Sequence, residues 1–447
     1  MTPPGSPAPS PPGWPLAGHA PAFRRDPLGF LRSAANSGPV VRLRLGPFVY
    51  HLVTDPALVR EVLQARAANY ARDGRSARQM RLVTGESLLS TEGDTWRRHR
   101  RLAQPVFHSQ RLAGLAATTV AACTETIDRW SDAARKGRTL DLVAELSRLT
   151  FTIAGRSLFG ADLGPHAGAV EQAYPVLVDE LFRRSRALAA LPAWVPTPGH
   201  RRFHRALAAI DAIVAELIAG RRRAPAGRDD LLDALLQARD EDGSALSDAE
   251  IRNHAVTFLL AGHETTASTL VWTLALLDQN RPELDPVEAE LDTVLAGRIP
   301  TLADLPRLTR LDAALQESLR LFPAIWLAER RVLETDTLGG CTIPGDSGLV
   351  VSAYVTQRLA AHWPDPDTFR PARFSGRTPP GLAEGFLPFG AGPHQCIGQH
   401  FALLEARLAL ATLLSRFRIH LAGEFPAPLA GITLRPAATV PVRIELR

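Results

Sequence analysis

Two short runs of β-branched and aromatic residues, Val40–Leu45 and Phe48–Val53, flank Gly46-Pro47 and predict a hairpin. From Arg111 to Arg239 the apolar residues recur at helical spacing in several segments. The segment Tyr174–Trp194 carries Val176, Leu177, Val178, Leu181, Phe182, Leu188 and Leu191. Ser247-Asp-Ala-Glu250 forms a capping box, and a helical pattern runs from it to about Gln279. That is a helix about 50 Å long at about 1.5 Å per residue. Its stretch Ala255–Leu277 is apolar enough to resemble a membrane span, yet His263 and Glu264 fall in the middle. A carboxylate there is costly in lipid, so a helix buried through a large protein is expected. A last helical pattern starts directly after Gly398, with Phe401, Leu403, Leu404, Leu408, Leu410, Leu413 and Leu414. The expected fold is mainly α with a smaller β region.

Composition narrows the class. The chain has 447 residues, 45% of them apolar, which is ample for a globular core. Its net charge is +5 and Lys136 is the sole lysine, so the positive charge is arginine. Such a balance suits nucleic acid, membrane or an acidic protein. Basic and aromatic residues do not interleave, so no nucleic acid is expected and an acidic protein partner fits best. Met1–Pro15 has neither the basic nor the apolar region of a targeting segment, and no membrane anchor is expected. Cysteine is sparse and odd in number: Cys123, Cys341 and Cys396. This argues against a disulfide framework and for the cytoplasm.

One cysteine stands apart. Phe389-Gly-Ala-Gly-Pro-His-Gln-Cys-Ile-Gly398 places Cys396 where a glycine-rich loop feeds a helix N-terminus. Loop amides and the helix dipole both favour a thiolate there. An isolated cysteine in such a place is otherwise a small buried packing residue. The stretch resembles the haem-binding loop of the cytochromes P450, Phe-Gly-x-Gly-x-His/Arg-x-Cys-x-Gly. The resemblance implies that Cys396 is the axial thiolate of haem b (iron protoporphyrin IX). It also implies that His394 reaches a propionate, that Phe389 packs by the thiolate, and that Gly398 lets the helix approach the porphyrin.

Four further motifs follow in the family's order. Trp96 and Arg100 share one helix face in Asp94-Thr-Trp-Arg-Arg-His-Arg-Arg-Leu-Ala103, and the resemblance makes them propionate partners. Their neighbours Arg97, Arg98 and Arg101 read either as a solvated basic face or as a docking patch for an acidic ferredoxin. Ala261-Gly-His-Glu-Thr-Thr266 breaks helix propensity in the middle of the long helix. Thr265 can bond back to the Ala261 carbonyl and bend or bulge the helix. In the family this motif activates oxygen: Thr265 manages protons, Glu264 relays them from solvent, and Ala261 leaves room over the haem. Glu317-Ser-Leu-Arg320, followed by Pro371-Ala-Arg-Phe374, implies a buried triad of Glu317, Arg320 and Arg373. Arg330 matches a third propionate partner, and Ala324, Ile325 and Trp326 are placed in the substrate pocket. The chain departs from the family at Gln357-Arg358, where His-Arg is usual, and at Cys341. His200 and His204, four apart among arginines, read as a solvated helix face.

The motifs span one fold, so a single haem domain over 21–447 is expected after a flexible Pro-rich segment, 1–20. The resemblance implies a monomeric monooxygenase that inserts one oxygen atom of O2 into a C–H bond of a lipophilic small molecule. A terpenoid or carotenoid is favoured over a fatty acid. Electrons would come from a separate ferredoxin and ferredoxin reductase using NAD(P)H. A peroxide-driven peroxygenase and a non-catalytic haem binder are the other classes, and neither needs the Glu264-Thr265 pair.

Overall fold

The computed structural model describes the chain except for residues 1–4, 108–111, 164–165, 188–190, 224–229, 241–242 and 377–379. Among the described residues, the helices that frame the site are α1 (Arg75–Thr84), α2 (Gly93–Ala103), α3 (Leu112–Arg135), α4 (Leu142–Phe159), α5 (Ala167–Arg186), α6 (Pro198–Arg223), α7 (Asp248–Gln279), α8 (Thr309–Leu321) and α9 (Gln399–Leu414). The helix α7 is the axis. Ser247 caps the Glu250 amide while the Glu250 carboxylate takes the Ser247 amide at 2.7 Å. Beyond its first turns α7 is buried on nearly every side, which is why its apolar residues run all round it. It packs against α4, α6, α8 and α9. Among the described residues no helix is long and apolar enough to cross a membrane.

One side of the helical mass carries a five-stranded sheet of β1 (Val40–Leu45), β2 (Phe48–Val53), β3 (Tyr70–Ala71), β4 (Ala328–Val332) and β5 (Gly348–Val351), in the order β1-β2-β5-β4-β3. The hairpin of β1 and β2 turns at Gly46, whose φ of 64° explains the glycine. Further on, β6 (Pro428–Ala430) and β7 (Leu434–Pro436) pair as a small hairpin. The largest core joins Trp130, Leu146, Leu270, Leu315 and Leu408, from five different helices.

Two buried polar groups brace this frame. Arg320 donates to Glu317 at 2.7 and 2.8 Å, and both side chains are fully buried. Arg373 reaches Glu317 at 3.2 Å, and Arg320 also serves the carbonyls of Gln357 and Pro366. The departure at Gln357 has a place here as well. Its amide nitrogen donates to the carbonyls of Leu319 and Arg320 at 3.1 and 2.9 Å, at the end of α8.

Two expectations need correction. The Pro-rich segment, described from Gly5 onward, does not lead freely into the fold. Ser6-Pro7 pairs in parallel with Cys341-Thr342, and the Arg42 amide donates to the Pro9 carbonyl at 2.7 Å. Backbone pairing of this kind satisfies groups that a free segment would give to water. His200 is not on a solvated face either. It is buried, with Nδ1 2.7 Å from the Val195 carbonyl and Nε2 3.3 Å from Arg184, because α6 turns it under the end of α5. His204 is exposed.

Candidate active site

Between α7 and the loop before α9 lies a cavity of about 490 Å³. The loop is shaped by its backbone. Gly390 and Gly392 have φ of 69° and 73°, and a Cβ on Gly392 would stand 1.7 Å from the Leu63 carbonyl oxygen. The Cys396 amide donates to the Phe389 carbonyl at 3.0 Å and closes the turn. Gly398 is the N-cap of α9. Cys396 is deep in the protein mass, yet its side chain has an accessible face, and that face opens on the cavity. Burial pushes its thiol upward, while the Gly398 N–H and the Arg100 guanidinium pull it down. The loop and helix therefore offset only part of the desolvation.

Opposite the thiol, α7 presents Ala261 and Thr265 to the same cavity. Thr265 donates to the Ala261 carbonyl at 2.8 Å, and Thr269 and Thr273 repeat the bond at 2.8 Å one and two turns on. Of the expected bend or bulge, the bulge is absent: the helix is α throughout Asp248–Gln279. Each hydroxyl uses a free lone pair of its carbonyl, so the helical bond need not break. Glu264, about 100° round the helix from Thr265, is off the cavity wall. It is buried against Tyr174, whose hydroxyl donates to it, and burial raises its carboxyl above the usual range.

One end of the cavity is cationic. Trp96 and Arg100 of α2, Arg330 of β4 and His394 of the loop all line it. Arg72 joins them. Burial first, and then Arg330 beside it, holds the Arg72 guanidinium down at about 10. Burial likewise lowers Arg330 and Arg100. Glu92 lies among these groups. It accepts from the Arg72 amide and approaches His394 at 3.2 Å. Glu329 also lies beside Arg330, so three guanidiniums face two carboxylates, and the excess of positive charge favours an anion. The His394 ring lies 4.1 Å from Trp96, and its Nδ1 and the Arg72 Nε are buried without partners. An inward thiol, a glycine-shaped loop and unbalanced cations at one edge fit a flat, dianionic metal macrocycle. Haem fits that description, and the cationic end would hold its propionates.

The family pattern described as Cytochrome P450 matches residues 8–438. This chain is a cytochrome P450. The P450 is 38% identical to a cyclooctatin synthase of Streptomyces melanosporofaciens, over 96% of this chain and 91% of the relative. It is also 38% identical to a cyclooctat-9-en-7-ol 5-monooxygenase of the same organism, over 94% of this chain and 89% of that relative. A pentalenene oxygenase of Streptomyces avermitilis is 34% identical, over 97% and 95%. The P450 is accordingly a monooxygenase.

Other side chains fall differently from expectation. Ala324 and Ile325 line the cavity, but Trp326 does not. Its indole N–H donates to the Gly431 carbonyl at 2.9 Å, and its ring packs with Leu28, Leu43 and Val350 beneath the sheet. Arg98 is not free for docking, being paired with Glu250 and Asp240, and Arg101 also pairs with Asp240. These pairs tie α2 to the start of α7. The triad of Glu317, Arg320 and Arg373 lies outside the cavity wall. Arg72 and Glu92 escaped notice in the sequence because they stand 20 residues apart and outside any spaced motif.

Proposed function

We propose that this P450 hydroxylates a terpenoid, with Cys396 as ligand to the iron of haem b. The observation that carries the substrate class is the cavity wall. Away from the cationic end it is apolar, with Met80, Val83, Leu177, Leu181 and Phe258 among its residues. Such a wall orients a hydrocarbon by shape and gives few hydrogen bonds. Relatives named for oxidation of cyclooctat-9-en-7-ol and of pentalenene support the same class.

The bound haem supplies oxygen activation and the two-electron chemistry. The residues supply the rest. Arg72, Arg100, Arg330 and His394 bind the propionates, and Trp96 packs on His394. The apolar wall displaces water from the reacting carbon. Thr265 holds a hydroxyl proton at its Oγ1 on the cavity face, and Glu264, the next residue, supplies protons to that face. Electrons come from a separate ferredoxin and its NAD(P)H-dependent reductase. The sparse, unpaired cysteines support a cytoplasmic protein, and we take it to act as a monomer.

The test is a titration of the haem-loaded protein with terpenes, carotenoids, fatty acids and macrolides, followed at the Soret band. A terpenoid is expected to give the saturable spin-state shift at the lowest concentration. A shift confined to fatty acids would replace the substrate class with the fatty-acid alternative.

A further inference from the structure

Three threonines of α7 use their hydroxyls on their own helix. Thr265, Thr269 and Thr273 each donate to the carbonyl four residues earlier, at 2.8 Å. Thr257, two turns before Thr265, makes no such bond. It is 2% exposed, and its hydroxyl has no hydrogen-bond partner among the described residues. Its side chain nevertheless lines the cavity, in company with Val83, Leu88 and Phe258. Three more hydroxyls on that wall have acceptors. Thr84 donates to the Met80 carbonyl at 3.1 Å, Tyr174 donates to Glu264, and Thr433 has the Glu264 carboxyl beside it. A buried donor without an acceptor is costly, and valine would fill the same space without that cost. The Thr257 hydroxyl therefore suits an acceptor that arrives with a ligand.

Its position restricts what that ligand carries. At about 1.5 Å per residue, Thr257 stands about 6 Å along α7 from Ala261 and about 12 Å from Thr265. Those two residues face the thiol across the cavity. A group held at Thr257 is thus one to two helical turns from the reacting carbon. Val83, Leu88 and Phe258 offer it no counter-ion, so the group is neutral. A hydroxyl fits best, because it can both accept from and donate to the threonine.

We propose that the substrate is a terpenoid that already carries a hydroxyl, and that Thr257 is the specificity-determining residue that binds this oxygen. The inference rests on the terpenoid reading of the cavity. Threonine in a helix has two χ1 wells open to it, so rotation about Cα–Cβ brings the hydroxyl to the cavity face. The bound oxygen then sets which end of the skeleton lies under Ala261 and Thr265. The new oxygen enters about 6–12 Å from the first. The product bears its two oxygens on distant carbons, not on neighbouring ones.

The experiment uses the haem-loaded protein and two pairs of compounds, each pair a hydrocarbon and an alcohol on one skeleton. They are cedrene with cedrol, and abietadiene with abietadienol. Titration at the Soret band is expected to show the alcohol of a pair binding about fivefold more tightly than its hydrocarbon, the equivalent of one net hydrogen bond. Thr257→Val should bring the alcohol to the affinity of the hydrocarbon, and Thr257→Ser should keep the preference. The carbon-monoxide difference spectrum, expected to stay that of the wild type in both variants, shows that the fold and the thiolate site persist. Equal affinities within both pairs in the wild type overturn the inference, as does a preference that survives in Thr257→Val. Saturable shifts from the hydrocarbons alone overturn it and leave the terpenoid reading standing. No shift from any of the four compounds overturns that reading, and this inference with it.

Discussion

The amide N–H of Leu387 donates to the side-chain oxygen of Gln357 at 2.9 Å, in a buried position. The same side chain donates to the carbonyls that end α8. One residue thus ties the helix of the Glu317–Arg320 pair to the segment that leads into the thiol loop. Removing it leaves a buried N–H and two carbonyls short of a partner, each costing about 1–3 kcal/mol. Gln357→Ala is expected to lower the melting temperature. It should also speed loss of the thiolate-type carbon-monoxide spectrum on warming, without changing substrate affinity by much. Spectra taken along a thermal ramp check this, and a wild-type decay rate would show that the clamp does not support the loop.

Much of this arrangement is legible in the sequence, for physical reasons that differ from residue to residue. Cys396, Phe389 and the glycines sit within ten residues, so local backbone chemistry determines their geometry. Ser247 and Glu250 likewise mark the start of α7 by a local bond. The partners of Glu264 are not legible locally because they come from far away, Tyr174 lying 90 positions earlier in the chain and Arg435 later still. Adjacency to Thr265 says only that the two are about 100° apart on the helix. The resemblance places Trp326 in the pocket with Ala324 and Ile325, but its indole has a carbonyl partner in the turn between β6 and β7. No spacing rule links those segments.

The Thr265 hydroxyl is on the cavity wall and already bonded to Ala261. Thr265→Ala should bind substrate and accept electrons as before. Its consumption of reduced nicotinamide should shift from hydroxylated product toward hydrogen peroxide. Quantifying product, peroxide and nicotinamide together checks this. Wild-type coupling would favour the peroxygenase alternative.

His254 on α7 is buried edge-on to His99, with ring centroids 4.5 Å apart. Burial, helped by His99, holds its imidazole down to about 3. The unfolded chain takes up this proton near the ordinary value of about 6.5, whereas the native protein refuses it until about 3. Unfolding therefore binds a proton across that window, and stability falls as pH drops through it. The slope is at most about 1.4 kcal/mol per pH unit for one such group. His99 is lowered as well and acts with the same sign. His254→Gln is expected to flatten the fall of the melting temperature between about pH 6 and pH 4. An unchanged slope would place the acid sensitivity elsewhere.

The central claim is that Cys396, facing the cavity opposite Ala261 and Thr265, holds the haem iron as a thiolate. The most direct measurement is the spectrum of the reduced, haem-loaded protein under carbon monoxide, for the wild type and for Cys396→Ala. The wild type should show the red-shifted Soret band of thiolate ligation. Cys396→Ala should lose that band even where haem is retained. A Cys396→Ala variant that keeps the red-shifted band would contradict the account.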